Sequence, residues 1–390
     1  MTHWLDVIGA GEGGLPPIPV AEIVLGPARL KSRVPNLIEW QSPTLDAMLA
    51  QIVALRGRPT VVLASGDPMW FGIGATLARH LHPSEFRVHP GPSSFQFAAA
   101  RLRWPLQHVA TISLHGRPVE RLHPHVLPGN RILALTSDRT TLAAAAALLV
   151  ARGYGSSLLT ILENLGGPAE RVSSVTAAEL DAEAYGDLHV LAIDCVADAG
   201  APILAPVPGL PDEVFVSDGQ LTKREVRAAT LARLAPFPGA LLWDVGAGCG
   251  SVAVEWLRAA RDCRAIAFER DPGRCEMISA NARALGVPEL KIVVGEAPAS
   301  VDDQPRPDAV FLGGDVDNGA LFDTCWGALK PGGRMVANAV TLAGEQALFA
   351  RQAAFGGELV RLDVAVLDSI GRHAALRPRL PVTQWLGLKR

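Results

Sequence analysis

Five cysteines are spread over this 390-residue chain, Cys195, Cys249, Cys263, Cys275 and Cys325, and none stands in a Cys-x-x-Cys pair. That spacing offers neither a zinc knuckle nor a disulfide framework. His80/His82 and His123/His125 have no cysteine or acidic partners at a metal-ligand spacing, so no metal is expected. No apolar run approaches the roughly 18 residues that cross a bilayer, and no membrane partner is expected. The first residues, Met-Thr-His-Trp-Leu-Asp, lack the basic stretch and apolar core of a secretion signal, which makes the cytoplasm the expected compartment. An excess of positive charge is missing too. Lys and Arg number 36 against 39 Asp and Glu, a net charge of -3, which argues against a nucleic-acid partner.

What the chain does have is length and apolar content for two cores. Its 49% hydrophobic and 19% charged residues describe a globular protein. Proline and alanine crowd residues 197–211, where missing amide donors and restricted neighbours forbid a helix or central strand. The expected organisation is a domain at 1–200, a proline-rich linker at 201–212 and a domain at 213–390, with the boundary near 205. In the first half, strands near 5–8, 23–25, 60–64, 131–135, 158–162 and 188–193 alternate with helices at 44–56, 72–82 and 139–152, predicting a mostly parallel α/β sheet. In the second, a helix at 223–235 precedes strands at 241–245, 264–268, 290–294, 308–312 and 334–339. This predicts a doubly wound, Rossmann-like sheet that binds ligands beyond the carboxyl ends of its strands.

Each half opens on a glycine-rich loop of its own design. Trp243-Asp-Val-Gly-Ala-Gly-Cys-Gly250 ends a strand and begins a helix, where glycines let backbone amides approach a ligand. Glu269 ends the next strand, at the spacing of a carboxylate that accepts ribose hydroxyls. A nicotinamide dehydrogenase shares that arrangement. Asp244 favours the other reading, since an acid before the first glycine suits a cationic amino-acid group better than a pyrophosphate. The Asp-x-Gly-x-Gly-x-Gly form thus resembles class I S-adenosylmethionine methyltransferases. The fourth strand exits through Phe311-Leu-Gly-Gly-Asp315 and lacks the Asn/Asp-Pro-Pro-aromatic box common in methylases of planar amines. Thr222 and Glu225 have the spacing of a capping box. Asp315 and Asp317 read as solvated loop acids.

Leu221-Thr-Lys-Arg-Glu-Val-Arg227, the glycine loop, Gly295-Glu-Ala-Pro298, Phe311-Leu-Gly-Gly314 and Lys330-Pro-Gly-Gly-Arg-Met-Val-Ala-Asn338 together resemble the decarboxylating precorrin methyltransferases of cobalamin synthesis. The resemblance spans nearly all of 210–390. It implies S-adenosylmethionine contacts at Thr222, Asp244, Gly246, Ala247, Gly248, Cys249, Gly250, Glu269 and Ala297.

The amino-terminal loop, Gly9-Ala-Gly-Glu-Gly-Gly14, is followed by Pro16, Pro17 and Pro19, and no acid ends the second strand, so a dinucleotide fold is disfavoured. With Ala64-Ser-Gly-Asp-Pro-Met-Trp70 and His89-Pro-Gly-Pro-Ser-Ser-Phe95 it resembles the tetrapyrrole methylase superfamily, a fold of two α/β subdomains. That resemblance spans about 1–200. It implies cofactor contacts at Gly9, Gly11, Glu12, Ser65, Gly66, Asp67, Ser93 and Ser94, and assembly into a homo-oligomer, a dimer or tetramer.

In tandem the two resemblances imply a bifunctional enzyme. It would use S-adenosylmethionine to methylate a precorrin tetrapyrrole at carbon 5 in the first half and carbon 15 in the second. The second step would remove carbon dioxide from the carbon-12 acetate. Methylation of another tetrapyrrole or of RNA, a non-catalytic carrier and a dehydrogenase stay open as alternatives. A substrate rich in carboxylates calls for arginine. Arg372, within Ser369-Ile-Gly-Arg-His373, is the expected clamp, with Arg101, Arg103, Arg117 and Arg121 as candidates in the first half.

Overall fold

The computed structural model describes residues 3–11, 14–40, 45–301 and 303–390. The chain divides into two compact units, one of residues 1–119 and 125–202, the other of 120–124 and 203–390.

The first unit contains β1 (Leu5–Ala10), β2 (Ile23–Gly26), β3 (Leu37–Glu39), α1 (Leu45–Val53), β4 (Thr60–Ser65), α2 (Ile73–Leu77), β5 (Phe86–His89) and α3 (Ser94–Leu102). These are followed by β6 (Ala110–Ser113), β7 (Arg131–Leu135), α4 (Arg139–Ala151), β8 (Leu158–Glu163), β9 (Arg171–Thr176) and β10 (His189–Asp194). Its strands form two sheets, ordered β3-β2-β4-β1-β5 and β6-β7-β10-β8-β9. The first sheet is parallel, so the turn-rich loops after β1, β4 and β5 leave from one edge. The expectation of mostly parallel pairing fails in the second sheet. There β10 runs antiparallel to both β7 and β8, and β9 antiparallel to β8. The helix expected over 72–82 is α-helical only to Leu77.

The second unit runs α5 (Arg224–Leu234), β11 (Leu241–Val245), α6 (Ser251–Ala259), β12 (Arg264–Glu269), α7 (Pro272–Ala284), β13 (Lys291–Val294), β14 (Ala309–Leu312), α8 (Gly319–Ala328), β15 (Arg334–Ala339) and α9 (Leu342–Phe355). It closes with β16 (Glu358–Leu362), β17 (Ala365–Ile370), β18 (His373–Pro378) and β19 (Val382–Leu388). The seven-stranded sheet is ordered β13-β12-β11-β14-β15-β19-β16, with β19 antiparallel to its neighbours. Alternate residues of the central strands face opposite ways, as strand geometry requires. Leu242, Ala267, Phe311 and Val336 pack with Leu231, Trp256 and Ile278, while Trp243, Phe268, Val310 and Met335 pack with Phe322, Cys325 and Leu348. Two apolar faces covered by helices hold the carboxyl ends of β11, β12, β14 and β15 in one row. β17 and β18 form a separate two-stranded hairpin. Among the described residues no helix is long and apolar enough to cross a membrane.

Candidate functional site

The row of strand ends in the second unit opens on a cavity of about 720 Å³, a usual size for a small-molecule site. Its glycine loop is held in a shape only glycine adopts readily. Gly246, Gly248 and Gly250 have φ of 70°, 58° and 77°, the left-handed region that costs other residues about 1–2 kcal/mol. The amides of Gly246 and Ala247 both donate to the Phe268 carbonyl, at 3.0 and 3.1 Å, tying the loop to the end of β12. Glu269 completes the clamp. One carboxylate oxygen accepts the Gly248 amide at 2.8 Å, and the other accepts the amides of Arg270 and Asp271 at 2.9 and 3.0 Å. A carboxylate offers about four acceptor sites, so one is left for a ligand hydroxyl. Room beside the backbone and a fixed carboxylate acceptor fit an adenosyl ligand.

Thr222, Gly246, Ala247, Gly248, Glu269 and Ala297 line this cavity. Asp244, Cys249 and Gly250 lie behind the wall. Asp244 is 1% exposed. One of its oxygens accepts the Ala253 amide at 2.9 Å, and the other has no partner among the described residues. Burial pushes its pKa up to about 7, and the charge of Glu269 adds to the rise. Burial also raises the Cys249 thiol pKa, while the Cys249 carbonyl accepts from Asn281 at 2.9 Å. A Cβ on Gly250 would sit 2.9 Å from Cγ2 of Ile278. Arg372 stands on the turn between β17 and β18, exposed, and is not among the cavity's wall residues.

The expected capping box at Thr222 is corrected by the structure. The cap of α5 is Lys223, with no side-chain cap bond, because the Thr222 turn is held by a different group. Arg227, with no exposed surface, donates to the Thr222 carbonyl at 2.5 Å, to Asp212 at 3.0 Å and to Glu255 at 2.6 Å. Glu255 in turn accepts the amides of Gly209 and Leu210. One buried ion pair thereby fastens the segment entering the unit to the turn that walls the cavity. A second buried group, Asn338, also reaches the wall. Its amide donates to Thr230 at 3.1 Å and its carbonyl accepts from Gln384 at 2.8 Å. Sequence reasoning did not assign Lys223, Glu225, Asn338, Leu362 or Val364 to the wall, and it named Arg379 only among the basic residues of the last thirty positions, favouring Arg372. Leu362, Val364 and Arg379 come from the far end of the chain, and no local spacing ties them to the glycine loop.

In the first unit a cavity of about 380 Å³ is lined by Gly11, Ser65, Gly66, Asp67, Ser93 and Ser94 from the loop edge of the parallel sheet. Gly9 serves close approach rather than the wall, since a Cβ there would lie 2.7 Å from the Gly66 carbonyl and the Gly91 amide. Gly66 has φ of 68° and donates its amide to the Ala10 carbonyl at 2.9 Å. Ser93 caps α3 and exchanges hydrogen bonds with Gln96, a reciprocal box that sequence reasoning missed. Glu12 lies outside the described residues. Trp70 and Phe71 both meet Phe95, at ring separations of 5.8 and 5.9 Å. Arg117 lines the cavity over the Phe71 ring, while Arg101 is held by Glu170 outside it. His189, from the second sheet, also lines it. Its Nδ1 meets the Gly186 carbonyl at 2.8 Å, and burial lowers its pKa, favouring the neutral ring.

Two family descriptions match the chain: tetrapyrrole (corrin/porphyrin) methylases over residues 22–181 and a precorrin methyltransferase domain over 213–389. A precorrin-6Y C(5,15)-methyltransferase [decarboxylating] of Sinorhizobium sp is 46% identical over 99% of this chain and 96% of its own length. Two shorter relatives come from Salmonella typhimurium. A cobalt-precorrin-6B C(15)-methyltransferase (decarboxylating) is 31% identical over 44% of this chain and 92% of its own. A cobalt-precorrin-7 C(5)-methyltransferase is 35% identical over 36% of this chain and 68% of its own.

Proposed function

The chain belongs to the decarboxylating precorrin-6Y C5,15-methyltransferase family, and on that premise we propose that each unit carries out one of its two methylations. It is an S-adenosylmethionine-dependent methyltransferase of cobalamin biosynthesis. The first unit takes carbon 5. The second takes carbon 15 and the loss of carbon dioxide from the carbon-12 acetate. The observation that carries this division is the pairing of two unlike cavities with two unlike family matches, one to each unit.

Bound S-adenosylmethionine supplies a sulfonium methyl, electrophilic enough that an enamine-like ring carbon needs no strong base. The work left to the protein is positioning, which can remove much of such a barrier. In the second unit, Glu269 would accept from the adenosyl group, and the Gly246–Gly248 turn would let that group lie against the backbone. Ala297 and Thr222 would close its sides. Leu362, Val364 and Val382 give this part of the cavity an apolar wall, which would leave a carboxylate poorly solvated and favour carbon dioxide loss. In the first unit, Ser65, Gly66, Asp67, Ser93 and Ser94 would hold the cofactor, with Gly9 allowing the loops to meet.

The enzyme would work as a homo-oligomer, a reading supported by the β17–β18 hairpin, whose Leu367, Ile370 and Leu376 are 74%, 59% and 69% exposed. Its five unpaired cysteines agree with the cytoplasm.

Gly248→Asp tests the division of labour. A side chain and a negative charge would intrude beside Glu269, disabling only the second site. Mass spectrometry of precorrin-6Y after incubation with the full-length variant should show at most one added methyl and no loss of carbon dioxide. A doubly methylated product would remove Gly248 from the cofactor site. Decarboxylation without the second methyl would show that the two reactions are not coupled.

A further inference from the structure

We propose that Arg379 is the residue with which the second unit grips a carboxylate of its substrate, one retained in the product, and that Glu225 holds the guanidinium ready until the substrate displaces it. The inference rests on the reading of this cavity as the precorrin site.

Four cationic side chains stand on the cavity wall: Lys223, Arg270, Arg274 and Arg379. Two of them flank Glu269. Arg274 makes two bonds to Asp218, at 2.9 and 2.7 Å, and one to Gln220, while Arg270 faces Glu296 at 3.4 Å. Lys223 turns back to the Gly219 carbonyl at 3.4 Å. Arg379 stands elsewhere. It precedes β19, with its amide fixed to the Val364 carbonyl at 2.9 Å, beside Leu362, Leu380 and Val382. In the sheet order β19 is four strands from β12, which carries Glu269. At the usual spacing that is roughly 19 Å, beyond the glycine loop and toward the part of the cavity left for substrate.

Arg379 meets Glu225 through one bond of 3.0 Å, and the two side chains are 33% and 47% exposed. A pair so open to water contributes little to stability. It is therefore easily exchanged. The planar fork of the guanidinium can engage a substrate carboxylate through two parallel bonds where Glu225 uses one. Glu225 keeps the long side chain extended along the wall in the meantime. It also repels any carboxylate that cannot take Arg379 from it.

The gripped carboxylate must be one that stays. Carbon dioxide loss removes the negative charge in the transition state, so an arginine on the departing group would stabilise the ground state and slow the reaction. The apolar side chains beside Arg379 suit the departing carboxylate instead.

The test uses full-length protein with precorrin-6Y and S-adenosylmethionine, following the carbon-15 product and carbon dioxide. Arg379→Ala should raise KM for the tetrapyrrole about ten- to a hundredfold, the range of a lost charged hydrogen bond. Cofactor dissociation constant, melting temperature and carbon dioxide released per carbon-15 methylation should match the wild type. Arg379→Lys should recover part of the loss, and Glu225→Gln should lower KM because the competing carboxylate is gone. An unchanged KM in Arg379→Ala, or an equal loss of cofactor affinity, overturns the proposal. More carbon dioxide per methylation would mean that Arg379 holds the departing group, which overturns it too. A wild-type chain that binds S-adenosylmethionine yet leaves precorrin-6Y unchanged would sink the functional reading, and the proposal with it.

Discussion

Asp244 and Glu269 are two carboxylates at neighbouring strand ends with opposite circumstances. Glu269 accepts three backbone amides, which satisfy much of its charge. Asp244 accepts one, and burial pushes its pKa up to about 7. In the unfolded chain an aspartate titrates near 4. Between about pH 4 and 7, the folded chain therefore keeps a proton that the unfolded chain has lost, and stability falls as pH rises through that window. Asp244→Asn stays neutral throughout and still offers an oxygen to the Ala253 amide. The variant should gain stability relative to the wild type as pH rises from about 4 to about 7, with the difference constant above that. Urea midpoints at pH 5 and pH 8 decide it, and an equal difference at both would refute the neutral, buried state. Both acids were legible in the sequence because each sits in a short motif. Their division of roles was not, since it depends on which backbone amides the fold turns toward each one.

At the scale of elements, the glycine loop was readable because strand, loop and helix follow one another directly. Its third glycine carries two constraints at once, a φ of 77° and a side-chain site already filled by Ile278. Gly250→Ala should destabilise the second unit by about 2–5 kcal/mol, combining left-handed strain with overpacking. Denaturant unfolding would show it, and an unchanged midpoint would mean that the loop relaxes freely. Elements that depend on distant partners were harder to read. β19, Val-Thr-Gln-Trp-Leu-Gly-Leu, buries Thr383 and Gln384, and those polar residues obscure a central strand. They are tolerated because Gln384 bonds Asn338 and Thr230, and Thr383 bonds Glu345. β9, Arg-Val-Ser-Ser-Val-Thr, is a polar edge strand without an apolar face to announce it. Missing it hid the antiparallel character of the second sheet.

At the scale of the whole chain, the composition shift over residues 197–211 marks where one set of motifs ends and another begins. The packing places Leu204 and Leu210 in the core of the second unit, 4% and 3% exposed. Arg258 donates to the Leu204 carbonyl at 2.5 Å. Prolines alone could not show that, because a stiff segment looks the same whether or not its leucines are anchored. A cut near 205 would separate Leu204 from its pocket, so we predict that a cut after Pro202 preserves more stability than one after Ala205. Losing a buried leucine from a packed core costs about 2–5 kcal/mol. Each fragment from the Pro202 cut should unfold cooperatively in calorimetry, and the carboxyl-terminal fragment should bind S-adenosylmethionine with the affinity of the corresponding site in the intact chain. The fragment beginning at Pro206 should melt lower while keeping the same ligand preference, since Leu204 is not a wall residue of the cavity. Equal melting temperatures for the two carboxyl-terminal fragments would show that Leu204 contributes nothing to this core. A carboxyl-terminal fragment that folds but binds no cofactor would mean that its cavity is incomplete without the rest of the chain.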